Sequence, residues 1–176
     1  MRYLGAISRW IDLLNEWIGR GTSLAAFGLV WLVFCDVIMR YFISRSFVWV
    51  QEMEWHLFSL IFLFGAGYTL RHDGHVRVDI IYQRLKPNAR AWVDLFGVLL
   101  FLLPGCGMVI VSSFRFFHAS LSVLEGSPDP GGLPCRFLIK GAITAGFALL
   151  FMQGISMGIH SLLKILGEES HSGDPS

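Results

Sequence analysis

A chain of 176 residues that is 54% hydrophobic and only 15% charged is far more apolar than a soluble domain of its length needs, so its solvent is largely lipid. A net charge of +1, with no basic block interleaved with aromatics, excludes a nucleic-acid footprint. Three cysteines make no closed disulfide set and show no metal spacing. Cys35 and Cys106 lie in apolar runs and Cys135 alone reads as exposed, so neither zinc nor thiol redox chemistry is expected.

Residues 1–20 put Leu4, Ile7, Trp10, Ile11, Leu14, Trp17 and Ile18 on a helical period, with Arg9, Asp12, Glu16 and Arg20 opposite. That pattern predicts an N-terminal amphipathic interfacial helix, lying in the membrane surface or docked on a partner, and neither a signal peptide nor a span. Four apolar stretches then follow, near 21–43, 50–70, 91–117 and 142–166, each reaching the roughly 20 residues a helix needs to cross hydrocarbon. Lipid offers backbone groups no partner, so each must be helical. The expectation is an all-α membrane protein: one four-transmembrane-helix bundle over 21–166, with a polar tail at 167–176.

The loop LRHDGHVRVDIIYQRLKPNAR joins the middle spans. Gly74 supplies a turn, Val78, Ile81 and Leu85 repeat as a second, short amphipathic helix, and Asn88 is placed to cap the third span. Nine basic residues fall on the side of the termini and this loop (Arg2, Arg9, Arg20, Arg71, Arg77, Arg84, Lys86, Arg90, Lys164) against five opposite (Arg40, Arg45, Arg115, Arg136, Lys140). The positive-inside rule therefore places both termini and the middle loop in the cytoplasm, with loops 44–49 and 118–141 outside.

Ionisable groups gather at the outer ends of the first two spans. Asp36 and Arg40 stand four apart, acid first, the favourable order for a helical ion pair. Glu52 occupies the first turn of its helix, where the dipole favours an anion, and shares a face with His56 and with Trp49, an interfacial anchor. These groups sit at span ends and no acid continues through spans two to four, so they read as a structural clamp, with Arg40 the expected partner of Glu52, and not as an ion relay. His72, Asp73, His75 and Asp79 resemble a metal set only in type. Local hydrogen bonds and neighbouring arginines are the preferred reading, and no metal or cofactor is expected.

Small residues mark close helix approach: Gly154 and Gly158 form a Gly-x-x-x-Gly step, and Gly65, Ala66 and Gly67 thin the second span. Pro104, Gly105 and Gly107 predict a kink in the third, with a broken helix lining a substrate site ranked below it. Ser112 and Ser113 read as hydroxyls bonded to helix backbone, and no nucleophile and base fall at a productive spacing, so an enzyme is not expected. A membrane anchor carrying haem or quinone, with His56 and His118 as axial ligands, is the alternative, disfavoured because His118 ends its span beside a loop.

In this order VIMRYF (37–42), Trp49 and Glu52, LFGAG (63–67) and GHVRVD (74–79) resemble the small permease subunit of tripartite ATP-independent periplasmic (TRAP) transporters over nearly the whole chain. Pro134, Lys140, Gly146, Phe147 and Gln153 resemble its fourth-span region, although Cys135, Arg136 and Phe137 stand where a tryptophan is often found. The resemblance implies a bacterial inner-membrane subunit bound beside a large permease subunit. In such systems a periplasmic substrate-binding protein captures a solute, commonly a carboxylate, and the large subunit imports it on an ion gradient, usually sodium. It further implies that Arg40, Trp49, Glu52, Gly65, His75 and Asp79 serve as interface or clamp positions. Membrane lipid and the outer loop GSPDPGGLP (126–134), as a contact for the binding protein, complete the expected partnerships.

Overall fold

The computed structural model describes residues 2–72 and 87–167. The amphipathic helix predicted in the middle loop, with His75 and Asp79, and the tail beyond Gly167 lie outside the described residues. Every regular element among the described residues is helical: α1 (Arg2–Phe42), α2 (Val48–Arg71), α3 (Pro87–Gly97), α4 (Leu103–Ser122) and α5 (Phe137–Ile165). A π turn, Val98–Leu102, joins α3 to α4 in one rod.

Among the described residues three segments are long and apolar enough to cross a membrane: Gly5–Phe42, Ala89–Ser122 and Phe137–Ile165. The chain is a multi-pass membrane protein. α2 has 24 residues, about 36 Å of helix, but Glu52, Glu54 and Arg71 dilute its apolar run. α3 already contains Pro87, so Asn88 sits inside the helix and not before it; proline tolerates the first turn, where its missing N–H has no helical partner anyway.

The boundary expected at residue 20 is absent, and α1 runs unbroken through it. Tertiary partners explain the continuity. Ser8, Ile11, Asn15 and Gly19, at helical spacing, are buried against α2 and α5, while Trp10, Leu13 and Trp17 face outward. A polar stripe thus turns inward because protein groups satisfy it there, and the apolar side meets the surroundings. At Gly19 a Cβ would overlap the Tyr68 ring, and at Gly67 it would overlap the Asn15 amide, so small residues set the α1–α2 approach. Further along α1, Leu24, Phe27, Trp31 and Phe34 stand exposed, the surface a lipid-facing helix requires.

α5 is the hub. It packs on α1, α2, α3 and α4, whereas the α1–α2 pair makes at most marginal contact with the α3–α4 rod. A core of Leu63, Ile139 and Ala142, flanked by Leu60, Phe64, Ile143 and Phe147, joins α2 to α5. There Gly146 fits only as glycine: a Cβ would lie 2.8 Å from Leu63 Cβ and 3.0 Å from the Leu63 carbonyl oxygen.

The irregularity predicted around Pro104 is the π turn just before it. The Leu103 N–H donates to the Val98 carbonyl, five residues back. Proline has no N–H to offer the fourth residue behind it, and the wider turn absorbs that loss without breaking the rod.

Candidate functional site

Two polar assemblies stand out, one at each end of α5. The inner one joins the start of α1 to the second half of α5. On α1, Ser8, Asp12 and Asn15 follow a four-and-three spacing, and on α5 Gln153, Ser156 and His160 follow a three-and-four spacing, so each set occupies one helical face. Asp12 Oδ1 accepts from Gln153 Nε2 (2.9 Å) and from the Ser156 hydroxyl (2.7 Å), and Asp12 Oδ2 lies 3.1 Å from His160 Nε2. Ser8 Oγ lies 2.7 Å from Ser156 Oγ and 2.6 Å from His160 Nε2.

Because a carboxylate only accepts, one assignment of protons satisfies the side-chain contacts among Ser8, Asp12, Ser156 and His160. His160 carries its proton on Nε2 and shares it between Asp12 and Ser8. The Ser8 hydroxyl donates to Ser156, and the Ser156 hydroxyl donates to Asp12. Gln153, Ser156 and His160 therefore converge on the Asp12 carboxylate, and Ser8 bridges Ser156 and His160. Ser8 and Ser156 have no exposed surface, and Gln153 is 3% exposed just past the middle of α5. Ser8, Asp12, Gln153, Ser156 and His160 each find a partner on the facing helix, which offsets much of the penalty for burying them, while Asn15 Nδ2 donates to the Ile11 carbonyl of its own helix.

Charged groups extend the seam to α2. Arg71 donates from Nη1 to the Asp12 carbonyl (2.6 Å) and to Glu16 Oε2 (2.7 Å), and Arg20 Nε donates to Glu16 Oε1 (3.2 Å). The ends of α2 and α5 are thereby fixed to the first five turns of α1.

The outer assembly is built on Glu52, and its partner differs from the expected one. Arg40 pairs with Asp36 on its own helix, while both oxygens of Glu52 are taken by the loop 126–134. Oε1 accepts from the Ser127 hydroxyl and Oε2 from the Leu133 N–H. Ser127 N–H donates to the Leu133 carbonyl (3.0 Å), and Gly132 N–H donates to the Asp129 carbonyl (3.0 Å), closing the loop on itself. Gly131 turns the chain at φ +82°, and a Cβ at Gly132 would overlap Ser127 and Glu52. GSPDPGGLP is therefore a collar around one carboxylate. Arg40 is intrahelical because i,i+4 geometry delivers its guanidinium to Asp36 before any interhelical partner.

Beside the collar, Glu125 accepts from the Lys140 ammonium and the Ser120 hydroxyl. Lys140, then Ser120, hold its carboxyl below the usual carboxylate range. Between α1 and α2, Asp36 Oδ1 and Glu54 Oε1 are buried without a hydrogen-bond partner.

Of the other expected positions, Trp49 is exposed at the start of α2, with its ring 6.4 Å from that of Phe47. Gly65 has open space where a Cβ would go, and Gly67 is the tight position of that segment. Gly154 packs against the π turn, where a Cβ would meet Leu102 Cδ2 at 2.6 Å, and Gly158 makes an ordinary contact with Val98 at 3.5 Å. His56 Nδ1 lies 2.6 Å from the Glu52 carbonyl, a local hydrogen bond within α2. Among the described residues no three His, Cys, Asp or Glu side chains gather as a metal set. The sequence reading missed the inner seam, although the matched spacings on α1 and α5 carried its signal.

Residues 29–163 match the family model described as tripartite ATP-independent periplasmic transporters, DctQ component. The chain is 23% identical to a putative TRAP transporter small permease protein of Haemophilus influenzae (strain Rd), over 86% of this chain and 87% of that one. It is 26% identical to the C4-dicarboxylate TRAP transporter small permease protein DctQ of Pseudomonas aeruginosa, over 81% of this chain and 63% of that one. It is 21% identical to the sialic acid TRAP transporter permease protein SiaT of Haemophilus influenzae (strain 86-028NP), where 81% of this chain spans only 22% of the relative.

Proposed function

The chain belongs to the DctQ component family of the tripartite ATP-independent periplasmic transporters, as their small permease subunit, and on that premise we propose that it braces a large permease subunit and does not itself carry solute. The observation that carries this reading is the match to a fifth of the sialic acid permease, whose much longer remainder is room for the transport machinery. In this reading α2 is the fourth span, the complex sits in a bacterial inner membrane, and both termini face the cytoplasm. Three structural relations support that topology. The start of α1, the end of α2 and the end of α5 meet at the inner seam, while the Glu52 collar lies at the opposite end.

The solute is an organic acid, delivered by a periplasmic binding protein and imported on an ion gradient. The C4-dicarboxylate and sialic acid names of the relatives support that class. The collar gives the outer face a fixed loop on which such a binding protein could dock, and membrane lipid surrounds the exposed aromatic surface of α1.

Reconstitution tests the division of labour. Vesicles containing this chain alone should accumulate no dicarboxylate or sialic acid, and vesicles containing it with the large permease and binding protein should accumulate one of them under an imposed sodium or proton gradient. Solute flux through the lone chain would overturn the reading. Glu52→Ala should release the collar and lower uptake by the full system while the chain still reaches the membrane. Uptake and complex recovery at wild-type levels would end the proposed role of Glu52.

A further inference from the structure

The α1–α2 pair and the α3–α4 rod stand apart on α5, and the gap toward the outer end is a cleft of about 390 Å³. Phe58 and Phe62 of α2 form one wall, Phe116 of α4 the other, Ile143 of α5 lies on its floor, and Arg136 and Lys140 stand at its rim. Arg136 lies 5.9 Å from the Trp55 ring centroid and has no ion pair or hydrogen bond from its guanidinium among the described residues. The nearby carboxylates are engaged elsewhere, Glu52 by the collar and Glu125 by Ser120 and Lys140. The Arg136 guanidinium, near enough to Glu52 and Glu125 to act on both electrostatically but with its five N–H donors unbonded among the described residues, thus stands beside a hydrocarbon-lined slot next to the first turn of α5.

We propose that this cleft holds one phospholipid, with its phosphodiester on Arg136 and an acyl chain running along Phe58, Phe62 and Ile143. The walls argue for a lipid tail over a partner helix. Helix pairs in membranes approach through small residues, and three phenylalanines hold a second backbone away while leaving a channel for a flexible chain. The rim argues for a phosphate, which the guanidinium fork matches with two hydrogen bonds where a water shell would otherwise be needed. Depth agrees as well, since Arg136 and Trp55 lie at the outer end of their helices, where headgroups and aromatic anchors meet. The lipid would fill the seam between the two halves of the molecule and make them one surface. This holds whatever solute the transporter carries, so its failure leaves the brace reading standing.

The full chain, extracted from membranes of phosphatidylethanolamine and phosphatidylglycerol and delipidated under matched conditions, should retain one phospholipid in native mass spectrometry. Arg136→Gln should retain about fivefold less, the loss expected for one interfacial cation. Arg136→Lys should keep most of it, and Arg45→Gln, in the other outer loop, should match wild type. Independently, a photoreactive benzoylphenylalanine at Phe58 should form a phospholipid adduct when irradiated in the membrane, a readout that does not depend on the Arg136 variants folding. Equal retention by wild type and Arg136→Gln, or an adduct to a polypeptide at Phe58, would overturn the proposal.

Discussion

Asp12 is the acceptor on which three donors from α5 converge, and its removal strands all of them. Asp12→Ala should lower stability in detergent by about 3 kcal/mol, whereas Asp12→Asn, which keeps one acceptor oxygen, should cost less. Unfolding by denaturant in mixed micelles measures both. Glu125 sets the pH response of the outer loop. Its carboxyl is held below the ordinary value near 4.3, so its pairing stabilises the folded loop above that pH and is lost as pH falls through the lower folded value. Amide exchange over residues 123–136 should accelerate as pH falls below the ordinary carboxylate range, and Glu125→Gln should weaken that acid dependence at residues 123–125 while the Glu52 collar keeps its own. The identity of these acids was visible in the chain, and Asp36–Arg40 was legible because its geometry is local. The partners of Asp12 and Glu52 were not, because they lie 141 and 75 residues away and depend on which helices the bundle makes neighbours.

Helix contacts divide the glycines that a sequence pattern treats alike. Gly146→Val should destabilise the α2–α5 pair by about 1–3 kcal/mol, since the Leu63 backbone must move to admit the new side chain. Gly65→Ala should leave the melting temperature of the isolated chain unchanged, because its Cβ meets nothing within 4 Å. Hydropathy was enough to mark the chain as all-helical with long apolar helices, and Pro104 marked the neighbourhood of an irregularity, which the structure shows as the π turn Val98–Leu102. Period and hydropathy did not resolve where α1 begins. The polar residues that seem to end an apolar run are the ones whose partners, Arg71, Gln153, Ser156 and His160, keep the helix going. An outward-facing Trp10 and Trp17 cannot be told from inward-facing ones by period alone; the matching polar faces on α1 and α5 decide it.

At the scale of the molecule, 41 residues give α1 about 60 Å, twice the hydrocarbon thickness, so the rod must tilt or emerge from the bilayer. Its continuity is testable. One alanine inserted between Arg20 and Gly21 rotates everything before it by about 100°, which takes Ser8 and Asp12 off the α5 face. Yield and thermal stability should fall sharply, and tolerance of the insertion would mean that 1–20 is a separate element.

The hub position of α5 has a mechanical consequence. With α1–α2 on one side and α3–α4 on the other, the molecule is arranged like a book with two covers on a single spine. The two covers are joined through the spine itself and through the clasp that Glu52 makes with the loop leading into it. Any force applied to one pair of helices must therefore cross α5 or that clasp to reach the other.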